Sequence, residues 1–334
     1  MTASATTTAA SNASGAPPAI AVRGVSYRYD STRAALDGID LVVEPNSLLA
    51  LLGPNGSGKS TILRLLARLD VPAWGSIQVL GRTGSAVRPL LGVVFQSPSL
   101  DPKLTVAENL RCAGRLLGLP RTVGDARMRD LLARLGLADR ATDRVGSLSL
   151  GLARRVDLCR AVLHEPRVLL LDEPTTGLDP AAREAFLDLL DDLRTRTGLA
   201  ILSATHLVDE ADRADRAVLM HAGRVVADGA PADLRAQLGP RIAFVHGAIE
   251  PDAGIPSIAG GWRRRHGGWV ADLAENADFS ACAAALAASG RSFSMAPPSL
   301  ADLFAALTGA ELGAGEQPET ASNAARGEKR HVRG

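Results

Sequence analysis

The sequence is poor in aromatic residues and cysteines, and each shortage excludes a class of function. Phe, Trp and Tyr make up 3% of its 334 residues, so a surface that stacks single-stranded nucleic acid on aromatic rings is not indicated. The three cysteines, Cys112, Cys159 and Cys282, share no CxxC or Cys/His spacing. Neither a disulfide framework nor a zinc site is therefore indicated, and the cysteines are interpreted as small apolar residues in a reducing compartment.

Long apolar runs and an excess of one charge are also missing. No apolar stretch approaches the roughly 20 residues that a membrane-spanning helix needs, because runs such as 168–171 and 200–202 end in charged or polar residues. A role at a membrane would then need another polypeptide. Lys and Arg total 37 and Asp and Glu total 36, so the net charge gives no electrostatic footprint for nucleic acid or an anionic membrane.

The length suggests about two domains, and the composition suggests where they lie. Residues 1–19 are rich in Ala, Ser and Thr and lack the features of a secretory signal, while residues 313–334 hold too few apolar side chains to fold. We expect both ends to be disordered. Residues 20–238 are predicted to form an α/β domain with a helical part at about 103–160, and residues 239–312 a small α+β domain.

Short apolar runs alternate with amphipathic helical stretches in the larger domain, which predicts an α/β fold. Continuous apolar runs are typical of parallel strands that are buried on both faces. Strands of this kind are predicted at 48–52, 91–95, 168–171, 199–203 and 217–220. In the smaller domain, strands are predicted at 241–246, 268–273 and 291–295, and helices at 279–288 and 300–307.

The most specific segment is a glycine-rich loop between a predicted strand and a predicted helix. It reads Gly53-Pro54-Asn55-Gly56-Ser57-Gly58-Lys59-Ser60, followed by Thr61, which fits GxxxxGK[ST] in its strand–loop–helix context. Gly56 and Gly58 let backbone N–H groups turn towards a phosphate, and the helix N-terminus adds its positive dipole. Lys59 is predicted to reach the β- and γ-phosphates of a nucleotide, and the Ser60 hydroxyl to ligate Mg²⁺.

Polar side chains follow several of the predicted strands at their carboxyl ends, where open α/β sheets bind ligands. Asp172 and Glu173 are adjacent and point oppositely, so Asp172 is predicted to support Mg²⁺ and Glu173 to act as general base on the attacking water. His206 is placed to hydrogen-bond a γ-phosphate. Gln96 offers an amide that can touch both the metal and the water.

With these residues in order, the chain from about 20 to 235 resembles the nucleotide-binding subunit of ATP-binding cassette (ABC) transporters. The matching motifs are the Walker A loop at 53–60, the Q-loop at Gln96, the signature Leu148-Ser149-Leu150-Gly151-Leu152, the Walker B strand at 168–172 with Glu173, the D-loop Gly177-Leu178-Asp179 and the switch histidine His206. Tyr29 is placed like the aromatic residue that stacks on adenine.

The resemblance implies a P-loop NTPase fold with an ABC-type helical subdomain that binds ATP and Mg²⁺. It also implies a second ABC ATPase subunit, identical or different, because each ATP lies between the Walker A loop of one subunit and the signature helix of the other. Ser149 and Gly151 would hold the partner's γ-phosphate, and Asp179 would cross the interface. Hydrolysis would drive a separate integral-membrane permease from the cytoplasmic face of the membrane, through the surface around Gln96, residues 97–104 and the helical insertion.

The signature departs from the family pattern, since Leu150 stands in place of Gly and Leu152 in place of Gln, another long polar residue or Met. If the Leu150 backbone had to take a positive φ or pass close to phosphate, its Cβ would cost about 1 kcal/mol relative to Gly. We therefore expect hydrolysis that is slowed rather than abolished.

The C-terminal segment 298–309 resembles the closing helix of the small appendage in exporter-type ABC ATPases, which favours export. An ordinary amphipathic helix that covers a core is the alternative. The basic run at 263–266, between two tryptophans, is interpreted as a solvated hairpin rather than a nucleic-acid surface. Two other functions stay open: a soluble ABC-type ATPase that acts on ribosomes or DNA, and an ATP sensor that dimerises but hydrolyses poorly.

Overall fold

The computed structural model describes residues 17–29, 34–247, 251, 258–274 and 276–312. Of the predicted disordered ends, 1–19 and 313–334, residues 1–16 and 313–334 lie outside the described residues. The prediction is wrong for Ala19, which is buried and whose carbonyl oxygen accepts from the Leu80 N–H at 3.0 Å. The chain divides into two compact units, one formed by Met1–Leu49 and Ser60–Ala204 and the other by Ala50–Lys59 and Thr205–Gly334. The domain boundaries expected from the sequence stay a prediction. Within the described ranges, no helix is both long and apolar enough to cross a membrane.

The order of elements is that of a mixed α/β chain. The strands are β1 (Ile20–Arg28), β2 (Ala34–Val43), β3 (Leu48–Leu52), β4 (Trp74–Val79), β5 (Leu91–Val94), β6 (Val168–Asp172), β7 (Ala200–Thr205), β8 (Arg216–His221), β9 (Arg224–Gly229), β10 (Ile242–His246), β11 (Ile258–Arg265), β12 (Gly268–Leu273) and β13 (Phe293–Ala296). The helices are α1 (Lys59–Leu66), α2 (Val106–Leu116), α3 (Arg121–Arg134), α4 (Leu150–Val162), α5 (Pro180–Thr197), α6 (Val208–Asp212), α7 (Pro231–Ala236), α8 (Phe279–Ala288) and α9 (Leu300–Thr308).

The central sheet has the strand order β5-β6-β7-β3-β8-β9. Strands β5, β6 and β7 are parallel, with Leu91 opposite Val168 and Val168 opposite Ala200. Residues 168–171 of β6 are fully buried, as expected of a parallel strand that is covered on both faces. The buried strands predicted from continuous apolar runs are confirmed, with bounds that shift by one or two residues.

A three-stranded antiparallel sheet of order β2-β1-β4 was not predicted from the sequence. In β1, Ile20 lies opposite both Val43 of β2 and Val79 of β4. The strand alternates poorly between buried and exposed residues and is irregular beyond Val22. Bulged strands of this kind lack the clean period of two on which a sequence prediction depends.

The helical part of the chain is formed by α2, α3 and the helix α4, which begins within the signature. Thr105 begins α2 with a capping box, because its hydroxyl accepts from the Glu108 N–H while the Glu108 carboxylate accepts from the Thr105 N–H. Between residues 103 and 144 the described chain forms helices and no strand apart from one isolated bridge. The predicted all-helical insertion is confirmed.

Helix α4 lies directly against strand β5. A Cβ on Gly92 of β5 would stand 2.4 Å from the carbonyl oxygen of Ala161, so only glycine permits this approach. Just beyond the helix, the Nε2 atom of His164 lies 3.0 Å from the Leu91 carbonyl oxygen and donates to it in the neutral ring. Burial lowers the pKa of His164 in spite of this hydrogen bond, which acts in the opposite direction.

The second unit ends in a four-stranded antiparallel sheet of order β11-β12-β10-β13. Helix α8 covers it and places Cys282 and Leu286 against Val245 and Leu273. These elements form the α+β arrangement expected from the sequence. Strand β11, which was not predicted as a strand, pairs with β12 across a turn at residues 266–267, whereas the sequence suggests the turn of this hairpin at Gly267-Gly268.

The basic run at 263–266 is largely neutralised within this hairpin. The Arg263 guanidinium donates to both carboxylate oxygens of Asp272 at 2.6 Å, and Arg265 donates to Asp302. The Arg264 guanidinium lies over the Trp269 ring, 5.3 Å from its centroid. This pairing supports the hairpin interpretation over the nucleic-acid one, because paired arginines attract phosphate weakly.

The residue that follows β6 has a strained backbone. Glu173 adopts a φ of +46°, in the left-handed region that side chains with a Cβ rarely occupy. Its N–H donates to the Ala204 carbonyl oxygen at 2.9 Å and fixes this conformation. Strain of this kind is most often found at functional sites.

The pKa of His164 predicts a pH-dependent stability. Its folded pKa lies below the unfolded value, so His164 contributes stability above about pH 6.5 that is lost as the pH falls through the folded pKa. We expect the Tm advantage of the wild type over His164→Gln to shrink by roughly 2 °C between pH 7.5 and 5, measured by thermal unfolding. His266→Gln, at the exposed hairpin turn, serves as control. Parallel pH curves for wild type and His164→Gln would contradict the assignment.

The strain at Glu173 predicts an inverted preference between glycine and alanine. Glu173→Gly should be more stable than Glu173→Ala by about 1 kcal/mol, because both remove the carboxylate but only Gly accepts the positive φ freely. Urea unfolding measures the difference. The same pair at Asp188, inside α5, should show the opposite sign, since Gly weakens a helix. Equal stabilities at position 173 would show that the φ costs nothing.

Candidate phosphate-binding site

The glycine-rich loop at 53–59 needs glycine at three positions. Gly56 and Gly58 have φ values of +78° and +108°, which a residue with a Cβ would adopt only under strain. At Gly53 the reason is space, because a Cβ would lie 2.3 Å from the carbonyl oxygen of Met220. The loop can therefore hold its backbone N–H groups in an arrangement that most sequences could not reach.

Lys59 ends this loop, and its ammonium is held by the backbone at the beginning of the loop. Its side chain is 4% exposed, and its ammonium donates to the carbonyl oxygens of Gly53 at 2.7 Å and Pro54 at 3.1 Å. A buried ammonium is expensive unless it is hydrogen-bonded, and these carbonyls satisfy it. The loop thus carries a fixed positive charge, which suits an anionic ligand.

Ser57 adds a polar group without a partner. Its Oγ is buried and has no hydrogen-bond partner in the part of the chain that the structure describes, although its carbonyl oxygen accepts from the Gly223 N–H at 3.0 Å. Because buried hydroxyls in native proteins are normally paired, a ligand oxygen would complete this group. The loop fits the phosphate groups of a nucleotide in this respect.

Ser60, the second residue of α1, meets the end of β6. Its hydroxyl donates to the Oδ1 atom of Asp172 at 2.9 Å, across 112 positions of sequence. Hydroxyl and carboxylate oxygens are ligands that Mg²⁺ accepts. The two predicted metal-binding residues are therefore adjacent, and their donor set fits Mg²⁺.

The buried Glu173 carboxylate joins a second cluster. Its side chain is 8% exposed, and its Oε2 atom accepts from Gln96 Nε2 at 3.2 Å and from Thr176 Oγ1 at 3.2 Å. The structure thus brings two predicted residues together and adds Thr176, which the sequence reasoning missed. Its closeness to Glu173 in the sequence was the available signal. In the structure the two residues share a tight turn, in which the Thr176 N–H donates to the Glu173 carbonyl oxygen at 3.3 Å.

Tyr29 lies beside the start of α1. Its hydroxyl is 3.1 Å from Thr61 Oγ1, and its ring packs edge-on against Tyr27 with centroids 5.0 Å apart. The Tyr29 side chain is nevertheless 60% exposed. An exposed ring that is held at its edge can stack on a planar ligand. Tyr27 was missed in the sequence because nothing in its spacing distinguishes it.

The signature motif forms the beginning of α4. Ser149 is the N-cap, and its hydroxyl accepts from the Leu152 N–H at 3.3 Å. Leu150 is the first helical residue and has no positive φ, so the backbone strain considered for this position is absent. The departure from glycine is one of volume instead. The Leu150 Cδ2 atom stands 3.0 Å from where a Cβ of Gly177 would lie, and Leu150 is 42% exposed.

The D-loop leads into α5, and Asp179 caps that helix. Its Oδ1 atom accepts from the Ala182 N–H at 2.9 Å, with Pro180 at the first helical position. Gly151 of α4 lies close to Ala182, whose Cβ would be 3.4 Å from a Cβ at Gly151. Asp179 therefore has a role inside its own chain, and its expected contact across an interface stays a prediction.

His206 lies in the second unit, directly after β7. A turn holds it there, because the Leu207 N–H donates to Thr205 Oγ1 at 3.0 Å. The Thr205 carbonyl oxygen accepts from the Gly53 N–H at 3.3 Å. The chain segment that carries His206 is thus hydrogen-bonded to the beginning of the glycine-rich loop.

Known proteins are similar to this chain over much of its length. The family model described as ABC transporter matches residues 36–176. The phosphonates import ATP-binding protein of Thiobacillus denitrificans is 38% identical over 251 residues, which cover 71% of this chain and 96% of that protein. The daunorubicin resistance ATP-binding protein of Streptomyces coeruleorubidus is 42% identical, and the match covers 67% of this chain and 72% of that protein. The Nod factor export ATP-binding protein I of Ralstonia nicotianae is 40% identical, and the match covers 66% of this chain and 70% of that protein.

Solved structures agree with these relatives. The Clostridium perfringens chain described as cbiO1, part of the ABC transporter complex cbiONQ, has a TM-score of 0.62 and 29% identity, and covers 66% of this chain and 91% of its own. An ATP-binding subunit of an ABC transporter has a TM-score of 0.59 and 31% identity. With the motifs in place on this fold, the chain belongs to the ATP-binding subunits of ABC transporters.

Proposed function

We propose that this chain hydrolyses Mg-ATP in a dimer of cassettes, and that hydrolysis drives export through a separate integral-membrane permease. The observation that carries the proposal is the pair of clusters at the end of β6, Ser60 with Asp172 and Gln96 with Glu173. One cluster suits a metal ion and the other a water molecule, and they are held by the last residue of β6 and the residue that follows it.

Each predicted residue has a proposed role in hydrolysis. Lys59 and the loop N–H groups bind the β- and γ-phosphates, and Tyr29 stacks on the adenine. Ser60, Asp172 and the Gln96 amide would hold Mg²⁺, which supplies neutralisation of phosphate charge when bound. Glu173 orients the attacking water and accepts its proton, and His206 donates a hydrogen bond to the γ-phosphate.

The α4 N-terminus supports the proposed dimer. A helix N-terminus presents unpaired N–H groups and a partial positive charge, which together favour a phosphate. Ser149 and Gly151 stand at this terminus. Helix α4 is a different helix from α1, which follows the glycine-rich loop. We therefore propose that Ser149 and Gly151 bind the γ-phosphate held by a second ABC ATPase subunit.

A groove beside the Gln96 segment supports permease binding. It has a volume of about 560 Å³ and is lined by Leu69, Leu104, Cys112, Leu116 and Leu117 among others. Leu116 is 84% exposed, and an apolar groove with exposed leucines favours burial by another protein. We propose that a permease segment occupies it, which would hold the chain at the cytoplasmic face of the membrane.

Export is favoured over import by the relatives with export or resistance in their names, at 40% and 42% identity. The phosphonate import relative, at 38% identity, supports the opposite direction. The helix α9, which begins with a Ser299–Asp302 capping box, is the segment on which the exporter resemblance rests. Transport into or out of vesicles that carry the permease would decide the direction.

An ATP sensor that hydrolyses poorly is the second candidate. Leu150 favours it, because its exposed side chain stands beside the signature N–H groups. A ribosome-bound or DNA-bound ATPase has less support, since the paired arginines of the β11–β12 hairpin offer little positive surface.

Glu173→Gln should separate binding from hydrolysis. Because Gln is isosteric but cannot accept a proton, we expect kcat to fall by about 10²–10³-fold while ATP affinity stays within twofold. Steady-state hydrolysis with Mg-ATP measures kcat, and an equilibrium titration with ATP measures the affinity. Light scattering in ATP should show that the variant accumulates as an ATP-bound dimer. Asp188→Asn, on the exposed face of α5, is the control. Undiminished turnover in Glu173→Gln would refute the proposed base.

Leu150→Gly should raise the turnover of the purified chain a few-fold, because it removes side-chain volume beside the signature N–H groups. The same change should lower Tm slightly, since Gly in a first helical turn costs up to about 1 kcal/mol. Leu307→Gly, at another exposed leucine of a helix, is the control for helix destabilisation. Unchanged or lower turnover in Leu150→Gly would show that this leucine does not slow hydrolysis.

A further inference from the structure

Three side chains that lie on α4 or just after it hydrogen-bond the backbone along the open edge of β5. His164 contacts the Leu91 carbonyl oxygen at 3.0 Å, Arg160 donates to that of Val93 at 2.8 Å, and Arg154 donates to that of Phe95 at 2.7 Å. The acceptors alternate along the strand, as the carbonyls on one edge of a strand do. Because β5 is the first strand of its sheet, its other edge is already paired with β6.

Arg154 differs from the other two because it reaches beyond the strand. Its guanidinium also donates to the carbonyl oxygen of Gln96, so one side chain holds two successive residues. The planar fork of a guanidinium suits two neighbouring acceptors, which a lysine ammonium cannot reproduce. Arg154 is therefore bonded to the backbone of the residue whose amide touches Glu173.

Packing alone does not account for an arginine at this position. Arg154 is 2% exposed, and burial lowers its pKa although Asp157 acts in the opposite direction. Asp157 is itself fully buried, and burial raises its pKa although Arg160 pairs with it at 2.7 Å. Burying such charges costs more than an apolar residue of the same volume would. Arg160 and His164 already hydrogen-bond carbonyl oxygens at this strand edge, so covering the edge does not explain Arg154 either.

The contacts form a continuous path from the signature motif to Glu173. Ser149 caps α4, and Arg154 follows five residues later on the same helix. Arg154 holds the Gln96 backbone, and Gln96 Nε2 donates to Glu173 Oε2 at 3.2 Å. A displacement of α4 would therefore move the Gln96 amide relative to the carboxylate.

We propose that Arg154 is a positioning residue for hydrolysis, which holds Gln96 where its amide orients the Glu173 carboxylate. The inference rests on the proposed ATPase function and adds a residue outside the motifs. Arg154 touches neither nucleotide nor metal in this role. It acts through the backbone of Gln96, from the helix whose N-terminus is the signature.

Hydrogen exchange tests the contact without nucleotide. In full-length Arg154→Lys, the amides of segment 95–101 should exchange at least threefold faster than in the wild type, because the clamp on the Phe95 and Gln96 carbonyls is lost. Segment 91–94, paired with β6, should keep its rate. Arg155→Lys, at the neighbouring position of α4 with its guanidinium near Gly136, is the matched control. Unchanged exchange of segment 95–101 would overturn the proposal.

A double-mutant cycle tests the role in hydrolysis. We expect Arg154→Lys to lower kcat about tenfold and to leave KM for ATP within twofold, since the glycine-rich loop is untouched. Arg155→Lys should keep the wild-type kcat. Combined with Gln96→Ala, Arg154→Lys should lower kcat no further, because both changes remove the same interaction.

The outcomes separate this inference from the proposed function. If the two kcat losses multiply, or if Arg154→Lys raises KM and spares kcat, Arg154 does not act through Gln96 and the proposal is overturned. If the wild-type chain hydrolyses no Mg-ATP, the ATPase function fails instead. The exchange of segment 95–101 then still decides whether Arg154 holds Gln96.

Discussion

The geometry of the candidate site depends on how the buried Glu173 carboxylate is held at the end of β6. A carboxylate that is 8% exposed loses hydration, and its residue also bears the strain of a φ of +46°. The carboxylate accepts hydrogen bonds from Gln96 and Thr176, and the Glu173 N–H donates to the Ala204 carbonyl oxygen; these three bonds offset the costs. Each comes from a different segment, so the parallel strands must be in register before the carboxylate can be held.

The glycine-rich loop holds a buried charge of the opposite sign. Glu173 is a buried anion that needs donors, whereas Lys59 is a buried cation that needs acceptors and takes them from its own loop at Gly53 and Pro54. The loop can wrap around the ammonium because its glycines accept positive φ values. Charges of both signs are thus fixed by the fold before ligand arrives, which is the condition for electrostatic preorganisation.

The sequence predicted the parts of the fold that have a strong local signal. Continuous apolar runs identified the buried strands, and the glycine-rich loop identified the start of α1, because strand–loop–helix context and motif agree. The sheet of β1, β2 and β4 was missed since β1 is bulged. The strain at Glu173 and the burial of Arg154 have no sequence signal, because both arise from distant contacts that override local preference. The positive φ considered for Leu150 is absent, because Ser149 caps a regular helix there, while its approach to a phosphate stays a prediction.

Helix α4 has two separate tasks, and this separation decides what the altered signature can affect. Its N-terminus presents Ser149 and the helical N–H groups, while its flank is fixed to β5 by Arg154 and Arg160. Since Leu150 has ordinary helical geometry, the N–H groups behind it keep their directions. Its effect is therefore local, through a side chain that stands over Gly177. In the proposed dimer, a partner subunit with glycine at that position would differ from this chain in the contact with Gly177 and not in the flank that holds Gln96.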